Sequence, residues 1–227
     1  MFIDPKMIAA IFIIKNEKRI IMNVYDFDQT IYQNDSSVDF YKYCLRCYPE
    51  IARLWPKQMA AFIKYQSGEH NNTRKTEMKS VFFSFVSLID DIDETVRTFW
   101  NIHENGIKKW YLDQQREDDL IISASPVFLL EDICGRLGIK HLIASDVDKH
   151  TGKFQRPNCH DYEKVKLIDR YADRHQMEAF YSDSYSDSPL AILAKEAYIV
   201  EGDEIMPWDE KKAVEFFVKH PVSELQV

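Results

Sequence analysis

Two aspartates near the start of the chain have a spacing suited to chemistry. Asp26 and Asp28 follow a short apolar run and lie two residues apart. Side chains at positions i and i+2 of an extended segment point to the same face, so both carboxylates should emerge at one strand end, with Thr30 close behind. Two neighbouring carboxylates repel each other and therefore share a proton or hold a cation. The pattern alone also fits an ordinary acidic turn, so its meaning depends on residues downstream.

Polar side chains also accompany later apolar runs. Ser123 follows one such run, and Asp183 follows another, with Asp187 four residues on. A predicted helix between them carries Lys164 and Lys166, and only one of these can reach a given site, because i and i+2 face different sides of a helix. Buried carboxylates in one cleft require compensation, and Mg²⁺ with oxygen ligands provides it. A lysine and a hydroxyl would neutralise and orient a phosphoryl group.

The elements that must position these groups follow an α/β rhythm. From about residue 119 onwards, short apolar runs alternate with helical segments, which is typical of a parallel sheet. We therefore expect an α/β fold with a Rossmann-like, doubly wound parallel sheet. Ligands of such sheets bind beyond the carboxyl ends of the strands. Asp26, Ser123 and Asp183 are each predicted at such an end.

The stretch between the first strand and the later ones is helical. Apolar residues recur at i, i+3 and i+4, and Asp91–Glu94 forms a capping-box pattern. We predict that residues 22–35 and 116–227 form the Rossmann-like catalytic core and that residues 36–115 form an inserted helical cap. Residues 1–21 are expected to be an N-terminal extension, or a mis-called start, outside the fold.

Composition limits the partners and the compartment. Hydrophobic residues make up 45% of the 227, enough for a packed core, and the net charge of −8 disfavours nucleic-acid binding. The apolar segment 7–14 is too short for stable membrane insertion, which takes roughly 20 residues. Cys44 and Cys47 lack a second pair that would complete a zinc site. Free thiols and a cytoplasmic location are expected.

Taken together, four segments resemble the motifs of the haloacid dehalogenase superfamily. Asp26–Thr30 resembles its first motif, Ser123 the second, Lys164 the third and Tyr181–Asp187 the fourth. Their order and spacing are similar to the phosphoserine-phosphatase-like branch, whose helical cap is inserted after the first motif. One departure is Gln29, where the family often has glycine or serine.

The resemblance implies roles for the acidic residues. Asp26 would be the nucleophile that forms an aspartyl-phosphate, and Asp28 would act as general acid and then general base. Magnesium would be held at Asp26, at Asp28 through its backbone carbonyl, and at Asp183, with Asp187 in support.

The resemblance also implies groups that contact the substrate. Thr30, Ser123 and Lys164 would bind the phosphoryl oxygens, with Lys166 as the alternative lysine. Asp35 lies near the position of a substrate-contacting glutamate in phosphoserine phosphatases, and Arg74 is a candidate for a substrate carboxylate.

The expected function is Mg²⁺-dependent hydrolysis of a small phosphorylated metabolite. Phosphoserine ranks below an unidentified phosphomonoester, because Ser123-Ala124-Ser125-Pro126 lacks the glycine pair that follows the serine in phosphoserine enzymes. Two alternatives remain: a phosphotransferase that uses the same intermediate, and a non-catalytic sensor of Mg²⁺ or phosphate.

Overall fold

A computed structural model describes residues 22–68, 71–171 and 177–220 of the chain. The prediction for residues 1–21 lies outside these ranges. Within them, none of the helices is both long and apolar enough to cross a membrane.

The described strands form a six-stranded sheet, in the order β3-β2-β1-β4-β5-β6. All neighbouring pairs are parallel except β5 and β6, which form an antiparallel hairpin. The α/β prediction is therefore confirmed, but the sequence reading missed β6. The strands are β1 Met22–Tyr25, β2 Leu120–Pro126, β3 His141–Ser145, β4 Met177–Ser182, β5 Glu196–Glu201 and β6 Glu204–Pro207.

Helices cover both faces of the sheet. Because side chains alternate along β1, Val24 belongs to one hydrophobic cluster and Tyr25 to the other. Ile168 and Leu190 pack in the Val24 cluster, and Leu129 packs in the Tyr25 cluster. The helices that follow β2 in the chain are α6 Val127–Arg136, α7 Tyr162–Tyr171, α8 Ser188–Ala191 and α9 Glu210–Lys219.

The helical stretch between β1 and β2, called the insert below, contains α1 Ser36–Cys47, α2 Trp55–Gln66, α3 Asn72–Phe83, α4 Ile92–His103 and α5 Lys109–Gln114. Short 3₁₀ turns at Pro49–Leu54, Ser84–Leu88 and Glu104–Gly106 follow α1, α3 and α4. Asp35, Asn71 and Asp91 cap α1, α3 and α4 with their side chains, as expected for such residues at a helix start.

These helices differ in how tightly they join the sheet. Phe40 of α1 and Trp100 of α4 are fully buried in the cluster that also contains Leu129 of α6. The Trp100 indole N–H donates to the Leu129 carbonyl oxygen at 2.6 Å. In α2, by contrast, Gln58 is the buried residue, so this helix lies on the surface of the insert.

A glycine allows the loop after β3 to touch the end of α3. Gly152 has φ +73°, and a Cβ added there would lie 2.1 Å from the backbone oxygen of Phe83. Nearby, the Phe154 amide donates to Ser80 Oγ at 3.3 Å. Only a residue without a side chain fits this backbone contact between the core loop and the insert.

Candidate active site

Asp26 stands directly after β1, at the carboxyl edge of the sheet. Its amide donates to the Tyr181 carbonyl oxygen of β4 at 2.8 Å, so the neighbouring strand fixes its backbone. Its side chain faces the cavity described below, but the residue is only 8% exposed. Three residues later Gln29 adopts φ 58°, in the left-handed region where a glycine is more usual. Gln29, which differs from the residue usual in the family, therefore adopts this turn conformation without being a glycine.

A buried lysine lies between two of the predicted carboxylates. Lys164 Nζ is 2.7 Å from Asp26 Oδ1 and 2.7 Å from Asp187 Oδ2. Burial opposes the charge on Lys164, but the carboxylates of Asp187 and Asp26 raise its pKa above the ordinary value. Lys166 is instead 3.5 Å from Glu163, with a 42% exposed side chain. Of the two candidates, Lys164 is the lysine that reaches the aspartates.

Asp28 is held by hydrogen bonds from two elements. Oδ1 accepts from the Ser36 amide at 2.7 Å, and Oδ2 accepts from Ser125 Oγ at 2.5 Å. Burial, together with the nearby charge of Asp35, raises the pKa of Asp28 to about 7, although both hydrogen bonds oppose the shift. These bonds fix the orientation of the Asp28 carboxyl group, and the predicted metal contact through its backbone carbonyl stays a prediction.

Thr30 does not line the cavity, contrary to the predicted phosphate contact. It is fully buried, and its Oγ accepts a hydrogen bond from the Asp183 amide at 2.9 Å. Thr30 therefore holds the loop after β4. Asp183 itself faces the cavity, and burial, with the charges of Asp26 and Asp187, raises its pKa to about 7.

Ser123 and Ser125, two residues apart in the sequence, have different positions relative to the cavity. Ser123 lies inside β2, is fully buried, and its Oγ accepts from the Ser125 amide at 3.1 Å. Ser125 lines the cavity and bonds to Asp28. The sequence reading missed Ser125, although its i+2 relation to Ser123 places both on one face of a strand.

These groups surround a cavity of about 550 Å³ at the carboxyl edge of the sheet. Of the predicted site residues, the structure brings Asp26, Asp28, Asp35, Lys164, Asp183 and Asp187 together in its wall.

The two predicted specificity residues are placed differently. Asp35 lines the cavity, and its Oδ1 accepts from the Val38 amide at 2.9 Å, which also caps α1. Arg74 lines a separate cavity of about 160 Å³, between α2 and α3. The structure thus does not bring Arg74 to the aspartates.

Cationic residues that the sequence did not single out also reach the cavity. Lys79 Nζ donates to the Ala124 carbonyl oxygen at 2.9 Å and to Asn158 Oδ1 at 3.1 Å. Lys75 Nζ lies 2.7 Å from His160 Nε2. Burial, and then the charge of Lys79, lowers the pKa of Lys75 to about 8. Spacing along α3 places 75 and 79 on one face, but the sequence does not tell which face meets the core.

The carboxylate cluster fits a divalent cation bound in the way usual for Mg²⁺. Among the described residues, no group of three or more His, Cys, Asp or Glu side chains is placed to hold a metal. Mg²⁺ commonly uses one or two carboxylates and completes its shell with waters and substrate phosphate. Asp26 and Asp183 are two such carboxylates, and burial raises the pKa of Asp26 to about 6. Within the described part of the chain, the buried Asp187 Oδ1 has no hydrogen-bond partner, so one carboxylate oxygen of the cluster is left unsatisfied.

Asp187, whose predicted support of the metal ion stays a prediction, contacts Lys164 and Ser182. Its Oδ2 accepts from Lys164 and, at 2.8 Å, from Ser182 Oγ, and the residue is 2% exposed. Asp187 thus orients the lysine beneath the cavity.

The fold and the site together define an α/β enzyme core with an acidic centre at the end of its central strands and a helical insertion after the first strand. The family model of the haloacid dehalogenase-like hydrolases matches residues 24–191. The chain belongs to this family.

Solved structures align with this chain at low sequence identity. A protein of unknown function from Bordetella pertussis Tohama I aligns with 18% identity and a TM-score of 0.61, over 78% of this chain and 87% of that one. Cytosolic 5′-nucleotidase IIIB bound to cytidine aligns with 16% identity and a TM-score of 0.50, over 83% and 73%. A substrate-bound phosphoserine phosphatase aligns with 11% identity and a TM-score of 0.45, over 88% and 97%. No curated protein matches the chain by sequence.

Proposed function

We propose that the protein hydrolyses small phosphomonoesters through an aspartyl-phosphate on Asp26. The observation that carries the proposal is the position of Lys164, 2.7 Å from both Asp26 and Asp187 and next to a cavity open to substrate. A carboxylate can attack a phosphate monoester only if the repulsion between the two anions is reduced. Lys164 supplies a fixed positive charge for this purpose and would contact the phosphoryl oxygens.

In the first step, an oxygen of Asp26 attacks phosphorus and the bond from phosphorus to the ester oxygen breaks. Asp28 gives its proton to the departing oxygen, so the alcohol leaves neutral. A pKa of about 7 suits this task, because the group can both donate and accept a proton near neutral pH. The Ser125 and Ser36 contacts hold the Asp28 carboxyl in place.

In the second step, Asp28 removes a proton from a water molecule that attacks phosphorus of the aspartyl-phosphate. The bond between phosphorus and the Asp26 oxygen breaks, inorganic phosphate leaves, and Asp26 regains its carboxylate. Asp28 ends protonated, as it began.

Asp26, Asp183 and the backbone carbonyl of Asp28 are the groups that would hold Mg²⁺. When bound, the ion neutralises charge on the phosphoryl group. Asp187 and Thr30 position Lys164 and the Asp183 loop through the contacts given above.

The proposed substrate is a small phosphorylated metabolite that binds in this cavity, whose wall includes Asp35. We place the reaction in the cytoplasm. The four cysteines are free, and three of them are buried, which suits a reducing compartment.

The test is a panel of phosphate esters assayed with and without Mg²⁺. Wild-type protein should release phosphate with Mg²⁺ and lose activity after chelation. Asp26→Asn should fold normally and lose about 10⁴-fold or more in kcat, because no nucleophile remains. Asp113→Asn is the control, since this aspartate pairs with Lys109 on the surface.

The rival functions give different results in the same assay. Faster ester consumption with added alcohol, and a new phosphate ester as product, would identify a phosphotransferase. Inactivity of the wild type on every ester, with Mg²⁺ or phosphate still bound, would identify a sensor.

A further inference from the structure

The cavity has two chemically different sides. The sheet edge contributes the carboxylates and Lys164, whereas the helical insert contributes apolar side chains together with Lys75 and Lys79. Val38 of α1, Phe62 of α2, and Met78 and Phe82 of α3 line this second side. The chemistry proposed above uses only the polar side, so the apolar side is unassigned.

The apolar side includes hydrophobic groups left in contact with solvent. Val38 is 40% exposed and Phe62 is 45% exposed. They come from different helices and line the same cavity. Apolar surface in water is unfavourable, and a ligand that covers it gains affinity in proportion to the area removed from water.

The cavity is larger than the reacting group needs. Its volume of about 550 Å³ lies within the range of about 300–1,000 Å³ found for pockets that enclose whole small molecules. A phosphoryl group placed at Asp26 and Lys164 leaves the space beneath the insert for the rest of the substrate.

The two lysines of α3 that line the cavity are bound to groups of the core, and Lys75 Nζ lies 2.7 Å from His160 Nε2. Lys79 is tied to the Ala124 carbonyl oxygen and to Asn158 of the core. On the side towards α2, the Phe82 carbonyl oxygen accepts from Gln58 Nε2 at 2.9 Å, and the Phe82 ring lies 5.1 Å from that of Tyr41. Phe82 is therefore held in place as a preformed apolar wall opposite the acidic one.

We propose that the substrate is a phosphomonoester whose alcohol part is apolar, an alkyl or aryl group that lies against Val38, Phe62 and Phe82. This inference rests on the proposed function for the position of the phosphoryl group. The apolar residues of the insert thus determine which class of leaving group binds.

Binding of n-alkylphosphonates, from ethyl- to hexylphosphonate, tests the inference without requiring catalysis, because a carbon–phosphorus bond replaces the ester. Titration calorimetry of the full chain with Mg²⁺ should give an affinity that rises about fourfold for each added methylene group. The heat-capacity change of binding should become more negative along the series. The affinities of phenylphosphonate and hexylphosphonate, compared with each other, show whether the site prefers an aryl or an alkyl group.

Two variants of α2 form a matched pair. Phe62→Ala should weaken hexylphosphonate binding about tenfold and ethylphosphonate binding much less, so that the dependence on chain length flattens. Ile63→Ala removes an apolar side chain that is 58% exposed and outside the cavity wall. It should leave the dependence on chain length as in the wild type.

An affinity that does not rise with chain length in the wild type would overturn the inference. So would tighter binding of 3-phosphonopropionate than of butylphosphonate, because its carboxylate would then be recognised by Lys75 or Lys79. A parallel turnover assay on the matching alkyl phosphates separates the two proposals: length-dependent binding without turnover contradicts the proposed hydrolysis and leaves the apolar site standing.

Discussion

The two sides of the cavity differ in how firmly they are built. The floor, which consists of Asp26, Lys164 and Asp187, has residues only 2–8% exposed and joined at 2.7 Å. The roof includes helix α2, in which Gln58 is the buried residue and Phe62, at the cavity wall, is 45% exposed. Tight burial with charge-assisted hydrogen bonds fixes atoms for chemistry. A loosely packed roof can change its residues at small cost to folding, so it is suited to choosing the substrate.

The largest effect on stability is expected in the floor. Lys164→Met removes the positive charge between Asp26 and Asp187 and leaves two buried carboxylates uncompensated. Breaking a buried ion pair from one side costs about 3–5 kcal/mol, and hydrolysis should be lost with it. Urea denaturation measures the free energy of unfolding.

Lys166→Met is the matched control, two residues further along α7. Its partner Glu163 is 3.5 Å away and the lysine side chain is 42% exposed, so the change should be within about 0.5 kcal/mol. Equal losses in the two variants would contradict the contrast between floor and surface.

The next effect is expected where the core meets the insert. Gly152→Ala would place a Cβ 2.1 Å from the Phe83 carbonyl oxygen, at φ +73°. The clash is with backbone, so the loop or the end of α3 must move, at a cost of about 2 kcal/mol or more. Thermal unfolding should register a clear decrease in Tm.

Gly135→Ala is expected to have the opposite effect on stability. A Cβ at this position within α6 meets nothing within 4 Å, and alanine is preferred to glycine in a helix by up to about 1 kcal/mol. The variant should therefore be slightly more stable than the wild type. If Gly152→Ala were equally harmless, the close approach of loop and helix would not exist in solution.

A smaller effect is expected from the two serines. Ser125→Ala removes the hydroxyl that donates to Asp28 Oδ2, and a hydrogen bond to a charged group contributes about 1.5–3 kcal/mol. We expect kcat to fall about tenfold or more. Ser123→Ala should reduce kcat less, since Ser123 is buried beside the Ser125 amide. Steady-state kinetics measures both values of kcat. A larger decrease in kcat for Ser123→Ala than for Ser125→Ala would show that the Ser123 hydroxyl is the more important one.

The smallest effect belongs to the roof. Trp55→Ser replaces an aromatic side chain that is 57% exposed, and the free energy of unfolding should change by about 0.5 kcal/mol or less. Chemical denaturation measures this change. A loss of several kcal/mol would mean that Trp55 is covered in solution, and the roof would then not be the loosely held side.

The fold was largely predictable because its signals are local. Apolar runs that alternate with helical periodicity predicted the parallel strands, and Asp91–Glu94 marked the start of α4. The hairpin partner β6 was not predicted. Its residues Glu204–Pro207 are mostly exposed, and an edge strand that buries little has no apolar pattern to reveal it.

The site was predictable only in part. Asp26, Asp28 and Asp183 follow strands, and the edge of a parallel sheet brings such positions together. Which of Ser123 and Ser125 reaches the cavity depends on the depth at which β2 ends, and its register with β3 shifts between Ser123 and Pro126. The contribution of α3 could not be predicted, because the way a helix docks is decided by packing between elements distant in the sequence.

The anchoring of α3 has a consequence for how ligands enter. In α3, Asn72 donates a hydrogen bond to the Asn158 carbonyl oxygen, and Lys79 donates one to the Ala124 carbonyl oxygen. The helix is therefore bound to the core at two separate positions. Swinging the whole insert outward would break these links together with the Gly152 contact. Entry of a ligand by movement of the whole insert would therefore break several contacts at once.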